Sequence, residues 1–456
     1  MTALAEQSER LWLGPHGRVV AGIFSLAFLV AFESLAVMTV MPIVADELDG
    51  LGLYALAFAA PTAVAVVSMT IAGPLMDRRG PGLALRVGVG IFAAGLLTAG
   101  FAPTMEVFLV GRAVQGLGMG FIGVGLYVVI GKVFAEHMRA RVFTVMTSAW
   151  VLPALVGPVV AGFIADHVGW RWVFLGVPLI AVGALLLIWE ALSRLDGDPG
   201  VAPDRRRLRW ALLTAGGILA VSIAGQRATE WWPALLIGAL ALIPAYAPRL
   251  LPPGTWRGRR GLPSVIATRS LLSAGFFGAE AYVPLSLVEH RGLSVSHAGL
   301  LLTSAAVLWF SGSWVAANVP ALASKPLRVR LGAVCVLLGT GAGFLTLTDV
   351  VPVLVIAVTW SVGGLGMGMA ASTLGVLLLD HSTPVEQGAN SAAMQTSDAV
   401  VQSLVLAVGS VVFAVMLGVD EMTGYALVFV LATATAMLAV ASTTRLSEAP
   451  DQRAHA

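Results

Sequence analysis

Residues 108–131 read FLVGRAVQGLGMGFIGVGLYVVIG, an apolar run in which Arg112 is the only charged residue. A helix of about 20 apolar residues crosses the hydrocarbon core of a bilayer, so this run predicts a transmembrane helix. The rest of the chain agrees, because 58% of its 456 residues are hydrophobic and only 11% are charged. Soluble domains carry about 25% charged residues, so the composition indicates an all-α integral membrane protein.

Apolar runs of span length recur along the chain and predict fourteen transmembrane helices. The seventh and eighth runs are the shortest, and if they form a surface hairpin instead, the chain has twelve spans. The predicted spans are 19–43, 52–76, 83–102, 106–131, 141–165, 171–192, 210–226, 231–248, 264–288, 295–321, 329–348, 350–379, 389–418 and 422–443.

The loops on either side of this short pair are rich in Pro, Gly and Arg, which is typical of linkers. We therefore predict an N-terminal six-helix bundle over 1–192, a two-helix insert with basic linkers over 193–262, and a C-terminal six-helix bundle with a tail over 263–456. Two similar bundles with a substrate path near the midplane are a common transporter arrangement.

Basic residues predict the orientation, since cytoplasmic loops carry an excess of Lys and Arg. With the N-terminus inside, only Arg171, Arg227 and Arg291 fall on the outer side. We therefore expect a multi-pass protein of the cell membrane with both termini cytoplasmic and the first span retained. The basic residues on the inner side are Arg78, Arg79, Lys132, Arg139, Arg141, Arg205, Arg206, Arg207, Arg257, Arg259, Arg260, Lys325, Arg328 and Arg330.

We single out four of the ionisable residues that fall inside predicted spans, where a charge is costly and usually functional. Glu33 is the single acid in the run LVAFESLAVMTVMP at 29–42, and Arg112, Glu280 and Asp398 lie in later spans. We predict proton coupling for the three carboxylates, with Arg112 as a partner that stabilises the deprotonated form of Glu33. The alternative is a structural, hydrogen-bonded acid, or a position near the outer interface for Glu280 and near the cytoplasmic end for Asp398.

Two further stretches carry residues with local structural roles. In AGPLMDRRGPGLAL at 72–85, Gly73 permits close helix approach, Asp77 can cap the following helix and pair with Arg78 or Arg79, and Gly80 allows a tight reversal. The fifth span contains Gly157, Pro158 and Gly162, where proline interrupts the helical hydrogen bonds. The glycines that follow Arg112, such as Gly118, are predicted to be helix-packing residues.

These stretches together resemble the major facilitator superfamily. All three motifs match this family, but the loop motif departs from the family pattern at Pro81 and Gly82, where basic residues are usual. The matching residues are Gly73, Leu75, Asp77, Arg78, Gly80 and Leu85 in the loop, Arg112, Gln115, Gly116 and Gly118 in the fourth helix, and Gly157, Pro158 and Gly162 in the fifth.

The resemblance implies a fold and an activity. The loop motif implies a gating role for Gly73, Asp77, Arg78 and Gly80, and the fifth-helix motif marks exporters. The two-span insert resembles the fourteen-span drug:proton antiporters, whose first helix carries an acid nine residues before a proline. Glu33 and Pro42 have this spacing, with Glu in place of the more usual Asp.

We therefore expect a monomeric, proton-coupled antiporter that exports hydrophobic or cationic small molecules by alternating access. The alternative is an exporter or flippase of lipids or lipid-linked metabolites on the same scaffold. An enzyme is disfavoured because the sequence has no HExxH and no P-loop; no cofactor, metal or nucleic-acid partner is expected. The predicted cavity residues are Met38, Gln115, Phe276, Phe277, Met394 and Gln395.

Overall fold

The computed structural model describes residues 14–50, 56–193, 195, 205–225, 231–293, 295–319, 324–416 and 419–448. Within these ranges the secondary structure is helical, with no strand. We number the α-helices α1 to α16, and two short 3₁₀ turns follow α9. The helices are α1 (Gly14–Glu47), α2 (Leu56–Arg79), α3 (Pro81–Gly100), α4 (Met105–Val133), α5 (Glu136–His167), α6 (Arg171–Leu175), α7 (Val177–Leu192), α8 (Arg205–Gly225), α9 (Trp232–Tyr246), α10 (Leu262–Glu280), α11 (Val283–Glu289), α12 (Val295–Asn318), α13 (Lys325–Thr346), α14 (Val353–Asp380), α15 (Gln387–Met416) and α16 (Glu421–Thr443).

Ten segments of the described chain are long and apolar enough to cross a membrane, which makes this a multi-pass helical membrane protein. Two of the ten are broken helices, because α6 with α7 and α10 with α11 each count as one segment. Four other helices, α5, α8, α12 and α15, have between 21 and 32 residues but are not among the ten. The predicted number of fourteen spans therefore stays a prediction.

Proline explains why the predicted ninth span is not one continuous helix. The carbonyl of Glu280 would normally accept a hydrogen bond from residue 284, but Pro284 has no N–H to donate. Accordingly α10 ends at Glu280 and α11 begins at Val283. Glu280 therefore lies at a helix break, whereas the sequence predicted it within an uninterrupted span.

The chain divides into two compact units by its internal contacts. Unit 1 comprises Met1–Ala228 with Thr383–Gln395, and unit 2 comprises Thr229–Ser382 with Thr396–Ala456. The two helices of the predicted insert therefore belong to different units. Helix α8 packs on α2 in unit 1, and α9 belongs to unit 2.

Within unit 1, α4 packs closely between α2 and α3 through its glycines. A Cβ added to Gly118 would lie 2.6 Å from the Cα of Phe92 on α3, and one added to Gly120 would lie 2.7 Å from the carbonyl oxygen of Ala65 on α2. No side chain fits at either distance, so glycine is required there. The prediction that Gly118 and its neighbours are packing residues is confirmed.

Unit 2 uses the same device, with α14 packed against α12 and α13. A Cβ at Gly332 on α13 would lie 2.7 Å from the carbonyl oxygen of Gly366 on α14. On the opposite side, a Cβ at Gly364 would lie 2.8 Å from the Cα of Ala305 on α12. Small residues thus let the backbones approach in both units, as is typical of helices in membranes.

The two described arginines that break the predicted charge asymmetry are both neutralised locally. Arg171 forms an ion pair with Glu47, and Arg291 lies 3.7 Å from a carboxylate oxygen of Asp349. Hydrogen bonds from Arg171 and from the Trp170 indole, with the Arg171 charge, lower the pKa of Glu47. Arg227 lies outside the described residues.

Candidate functional site

Unit 1 contains a buried ion pair between Glu33 on α1 and Arg112 on α4. The side chains of Glu33 and Arg112 are 2% and 5% exposed. Nη1 of Arg112 donates hydrogen bonds to Oε1 of Glu33 and to Oε1 of Gln115, which is itself fully buried. The structure therefore brings together Glu33 and Arg112, which the sequence predicted as partners, and Gln115, which it predicted as a cavity residue.

Arg112 has a third acceptor, a backbone carbonyl of α2 that a proline leaves without its helical donor. Pro61 has no N–H, so the carbonyl of Ala57, four residues earlier, lacks its usual helical donor. Nε of Arg112 donates to this carbonyl oxygen at 3.0 Å. The guanidinium is thus held by α1, α2 and its own helix at once.

The Glu33 cluster, meaning Glu33, Arg112 and Gln115, contains two buried polar atoms that lack a described hydrogen-bond partner. No described residue hydrogen-bonds Oε2 of Glu33 or Nε2 of Gln115, although both are buried. A buried acceptor without a partner is costly. Oε2 of Glu33 is therefore a position of the cluster that would accept a hydrogen bond from a further donor.

The motif helix α5 packs along α1, which carries Glu33. A Cβ at Gly157 would lie 3.8 Å from the side chains of Phe32 and Leu35, and one at Gly162 would lie 4.0 Å from Thr39. These are ordinary contact distances, so both glycines leave room beside α1. The side chains of Met38 and Pro158 are outside the described part of the structure.

Asp77 does not cap the helix that follows it, contrary to the sequence prediction. The helix that follows it, α3, begins after Gly80 with no side-chain cap, and Asp77 lies within α2. Its two carboxylate oxygens instead accept hydrogen bonds from the backbone N–H groups of Gly388 and Ala389, each at 2.9 Å. Asp77 thus caps the N-terminus of α15, within unit 1, where the helix dipole favours a negative charge.

Gly73 and Gly80 of this loop motif have the local structural roles that were predicted, whereas the gating role stays a prediction. A Cβ at Gly73 would lie 2.6 Å from the carbonyl oxygen of Gly388, so Gly73 permits the close approach of α15. Gly80 has φ 76, a left-handed conformation that allows the reversal between α2 and α3. Arg78 lies in the last turn of α2.

Asp398 belongs to a polar cluster in unit 2 that the sequence argument missed in part. Nε of Arg269 on α10 donates to Oδ2 of Asp398 at 2.9 Å, and Oγ of Ser270 donates to Oδ1 at 3.0 Å. The Asp398 cluster, meaning Asp398, Arg269, Ser270 and Ser397, lies near the middle of α10 and in the first half of α15. Arg269 could have been identified by the rule used for Arg112, because it also falls within a predicted span.

Glu280 does not join this cluster. It lies eleven residues after Arg269 on the same helix, which is about 16 Å along the axis. Glu280 and Asp398 therefore occupy separate environments, and a proton shared between them is not supported.

The predicted cavity residues with described side chains are largely buried. Phe276 is 1% exposed and Met394 and Gln115 are fully buried, whereas Phe277 and Gln395 are half-buried. Phe276 stacks on Trp360 with ring centroids 4.8 Å apart. Their role in contacting a substrate stays a prediction. No group of three or more potential metal ligands occurs among the described residues.

Known proteins resemble this chain in sequence and in fold. It is 26% identical to the multidrug transporter protein MdtP of Bacillus subtilis (strain 168) over 87% of this chain and 74% of the relative. It is 22% identical to the multidrug efflux pump SdrM of Staphylococcus aureus (strain N315) over 80% of this chain and 83% of that protein.

Among solved structures, the human organic anion transporter MFSD10 (TETRAN) superimposes with a TM-score of 0.72 at 13% identity, over 94% of this chain and all of that one. This likeness concerns the fold alone. The sequence also matches the Major Facilitator Superfamily over residues 23–405, which covers most of the chain. The chain therefore belongs to the Major Facilitator Superfamily and is a membrane transporter, not an enzyme.

Proposed function

We propose that the protein is a proton-coupled antiporter that exports hydrophobic or cationic small molecules by alternating access. The names of the relatives support a multidrug substrate range. The observation that carries proton coupling is the buried Glu33 cluster, in which a carboxylate faces a single arginine and keeps one oxygen without a described partner.

The Glu33 cluster has two electrostatic states. With Glu33 deprotonated, its charge balances Arg112, and the pair needs no further counter-ion. A proton on Oε2 removes this balance and leaves Arg112 as a buried charge without a carboxylate partner, which is strongly unfavourable. We infer that proton uptake by Glu33 favours a rearrangement of α1 against α2 and α4, and that this rearrangement is part of the transport cycle.

Further features of the proposal follow from the sequence and the family resemblance. We propose that the protein is a monomer of the fourteen-span antiporter branch, with both termini cytoplasmic and with domains 1–192, 193–262 and 263–456. The fourteen-span arrangement is supported by α8 and α9, which are both helical and lie between the two sets of six predicted spans. Among the loop-motif residues, Asp77 is the proposed gating residue, since it caps α15.

The test is transport driven by an imposed pH gradient in proteoliposomes, with ethidium as the substrate. Wild-type protein should accumulate ethidium against its gradient, and a protonophore should abolish this accumulation. Glu33→Gln should lose uphill transport because it cannot take up a proton, whereas Glu33→Asp should retain part of it. Glu106→Gln is the matched control, since Glu106 is an exposed acid at the start of α4.

Two results would contradict the proposal. Uphill ethidium transport by Glu33→Gln at the wild-type rate would exclude Glu33 as the coupling residue. Uphill transport of a fluorescent phospholipid but not of ethidium by the wild type would favour the lipid exporter. Thermal unfolding of each variant in detergent verifies that the loss is not due to misfolding.

A further inference from the structure

A basic loop joins α9 to α10 in unit 2 and is shaped by two glycines. Residues 247–262 read APRLLPPGTWRGRRGL and contain four arginines and no acid. Gly254 and Gly258 have φ of 93 and 52, in the left-handed region that favours glycine. The carbonyl oxygen of Gly254 accepts hydrogen bonds from the backbone N–H groups of Arg257 and Arg259, at 3.0 and 3.1 Å. The middle of the loop is therefore a closed turn.

A fifth arginine, from the segment after α16, is fixed to the same turn. Nη1 of Arg445 donates hydrogen bonds to the backbone carbonyl oxygens of Arg257 and Gly258. The carbonyl oxygen of Arg445 accepts a hydrogen bond from Oγ of Ser264 on α10, at 3.2 Å. Because Arg445 is 188 residues from Arg257 along the chain, the tertiary structure brings these arginines together.

Four exposed side chains form what we call the arginine cluster. Its members are Arg257, Arg259, Arg260 and Arg445. No ion pair joins any of them to an acid within the described ranges. The described acid nearest to them along the chain is Glu448, and its charge acts on Arg328 at the start of α13. Like charges held close together repel one another, and a bound anion would offset this repulsion.

Apolar segments of span length flank the loop on both sides, which places it at the membrane surface. Trp232–Leu250 ends before it and Leu262–Glu289 begins after it. The first is the least buried of the ten such segments of the described chain, so much of its surface is available to lipid. Trp256, in the middle of the loop, is 50% exposed, and tryptophan is enriched at the level of the lipid headgroups.

We propose that the arginine cluster and Trp256 bind the headgroup of an anionic phospholipid. A guanidinium presents a planar fork of N–H donors that matches two oxygens of a phosphate, and it stays charged at physiological pH. In the predicted orientation the loop faces the cytoplasmic leaflet, whose surface is negatively charged. The flanking apolar segments and the exposed Trp256 favour a lipid over a soluble polyanion as the source of the phosphate.

The phospholipid is here a bound surface ligand and not a transported substrate. Its headgroup would contact both the loop that precedes α10 and the segment that follows α16. Binding should therefore stabilise the folded protein, since a ligand that binds only the folded state raises the unfolding temperature. This effect requires neither a pH gradient nor a transport substrate, so it is measured independently of the proposed antiport.

The experiment is equilibrium binding of radiolabelled phosphatidylglycerol to the purified full-length protein in detergent micelles. Phosphatidylcholine with the same acyl chains is the zwitterionic reference. Wild-type protein should bind phosphatidylglycerol about tenfold or more tightly than phosphatidylcholine, and phosphatidylglycerol should raise its unfolding temperature more. The preference should weaken at high salt, because exposed charges are screened.

Variants of the loop test which residues hold the headgroup. Arg257→Gln combined with Arg259→Gln should weaken phosphatidylglycerol binding by about 25-fold, because each basic residue near an anionic surface contributes about fivefold. Trp256→Ser should also weaken it, and Trp256→Phe by less. Arg79→Gln combined with Arg209→Gln is the matched control, since it removes two exposed arginines of unit 1 and should bind as the wild type does.

Three results would overturn the assignment. One is equal binding of the two lipids by the wild type, a comparison that does not depend on the folding of any variant. Another is an equal loss of binding in the loop variant and in the matched control, which would indicate a general charge effect. The third concerns inositol hexakisphosphate, a soluble polyanion. If it stabilises the wild type through the same arginines while phosphatidylglycerol binds no better than phosphatidylcholine, the ligand is soluble.

Discussion

Two of the three intramembrane acids have an arginine partner. This partner decides how a substitution of the acid affects the stability of the protein. Glu33 pairs with Arg112 and Asp398 pairs with Arg269. Burying a charge is expensive unless it is paired, so removing one member of a buried pair leaves the other as the main source of destabilisation. The consequence is strongest for the Glu33 cluster, because it is the more buried of the two.

Arg112→Met should destabilise the protein by about 3–5 kcal/mol, since it leaves Glu33 charged and buried. Glu33→Gln in the same chain should recover most of that loss, because the orphaned charge is removed. Reversible unfolding in mixed micelles, measured for the two single variants and the double variant, gives the coupling between the residues. Additive effects of the two substitutions would show that the pair does not interact in the folded protein.

The sequence identified Glu33, Arg112, Glu280 and Asp398 because a charge within an apolar run is visible without knowledge of the fold. It did not identify Trp309 as a neighbour of Phe276 and Phe277. An aromatic residue in an apolar helix gives no local signal, and its proximity to these rings depends on how the helices are arranged in three dimensions. Similarly, the partner of Asp77 was predicted in the next helix, but it is more than 300 residues away along the chain.

At the level of helices, glycine has two different uses in unit 1. The α4 glycines are in contact with neighbouring backbones, so they are required by packing. The α5 glycines Gly157 and Gly162 face α1 with space to spare. Both patterns look alike in the sequence as small residues within a span, and only the inter-helix distances distinguish them.

Alanine substitution should separate these uses. Gly118→Ala should destabilise the protein by about 1–2 kcal/mol net, because its Cβ meets the backbone of Phe92. Gly162→Ala should be neutral or stabilising by up to about 1 kcal/mol, since its Cβ has room and alanine favours helix. Unfolding in mixed micelles measures both variants against the wild type. Equal destabilisation would mean that α5 packs against α1 more tightly than the structure shows.

The whole molecule was predictable to the level of a multi-pass helical transporter, because span length and composition are set by the bilayer. The predicted separation of a two-helix insert from the two bundles does not coincide with the two compact units, since α8 packs with unit 1 and α9 lies in unit 2. The break after Glu280 also depends on Pro284, which hydropathy does not register. The number of spans therefore depends on whether α8 and α9 cross the membrane.

Cysteine labelling can decide whether α8 and α9 cross the membrane, because Cys335 is the only cysteine of the chain. In a Cys335→Ser background, single cysteines at Val350, Ala228 and Arg259 probe three loops with a membrane-impermeant maleimide. With fourteen spans and cytoplasmic termini, V350C and A228C should react in intact cells, and R259C only after permeabilisation. The background protein without cysteine should not react at all. If V350C reacts in intact cells but A228C does not, then α8 and α9 do not span the bilayer, and the protein has twelve spans with the same orientation of both flanking bundles.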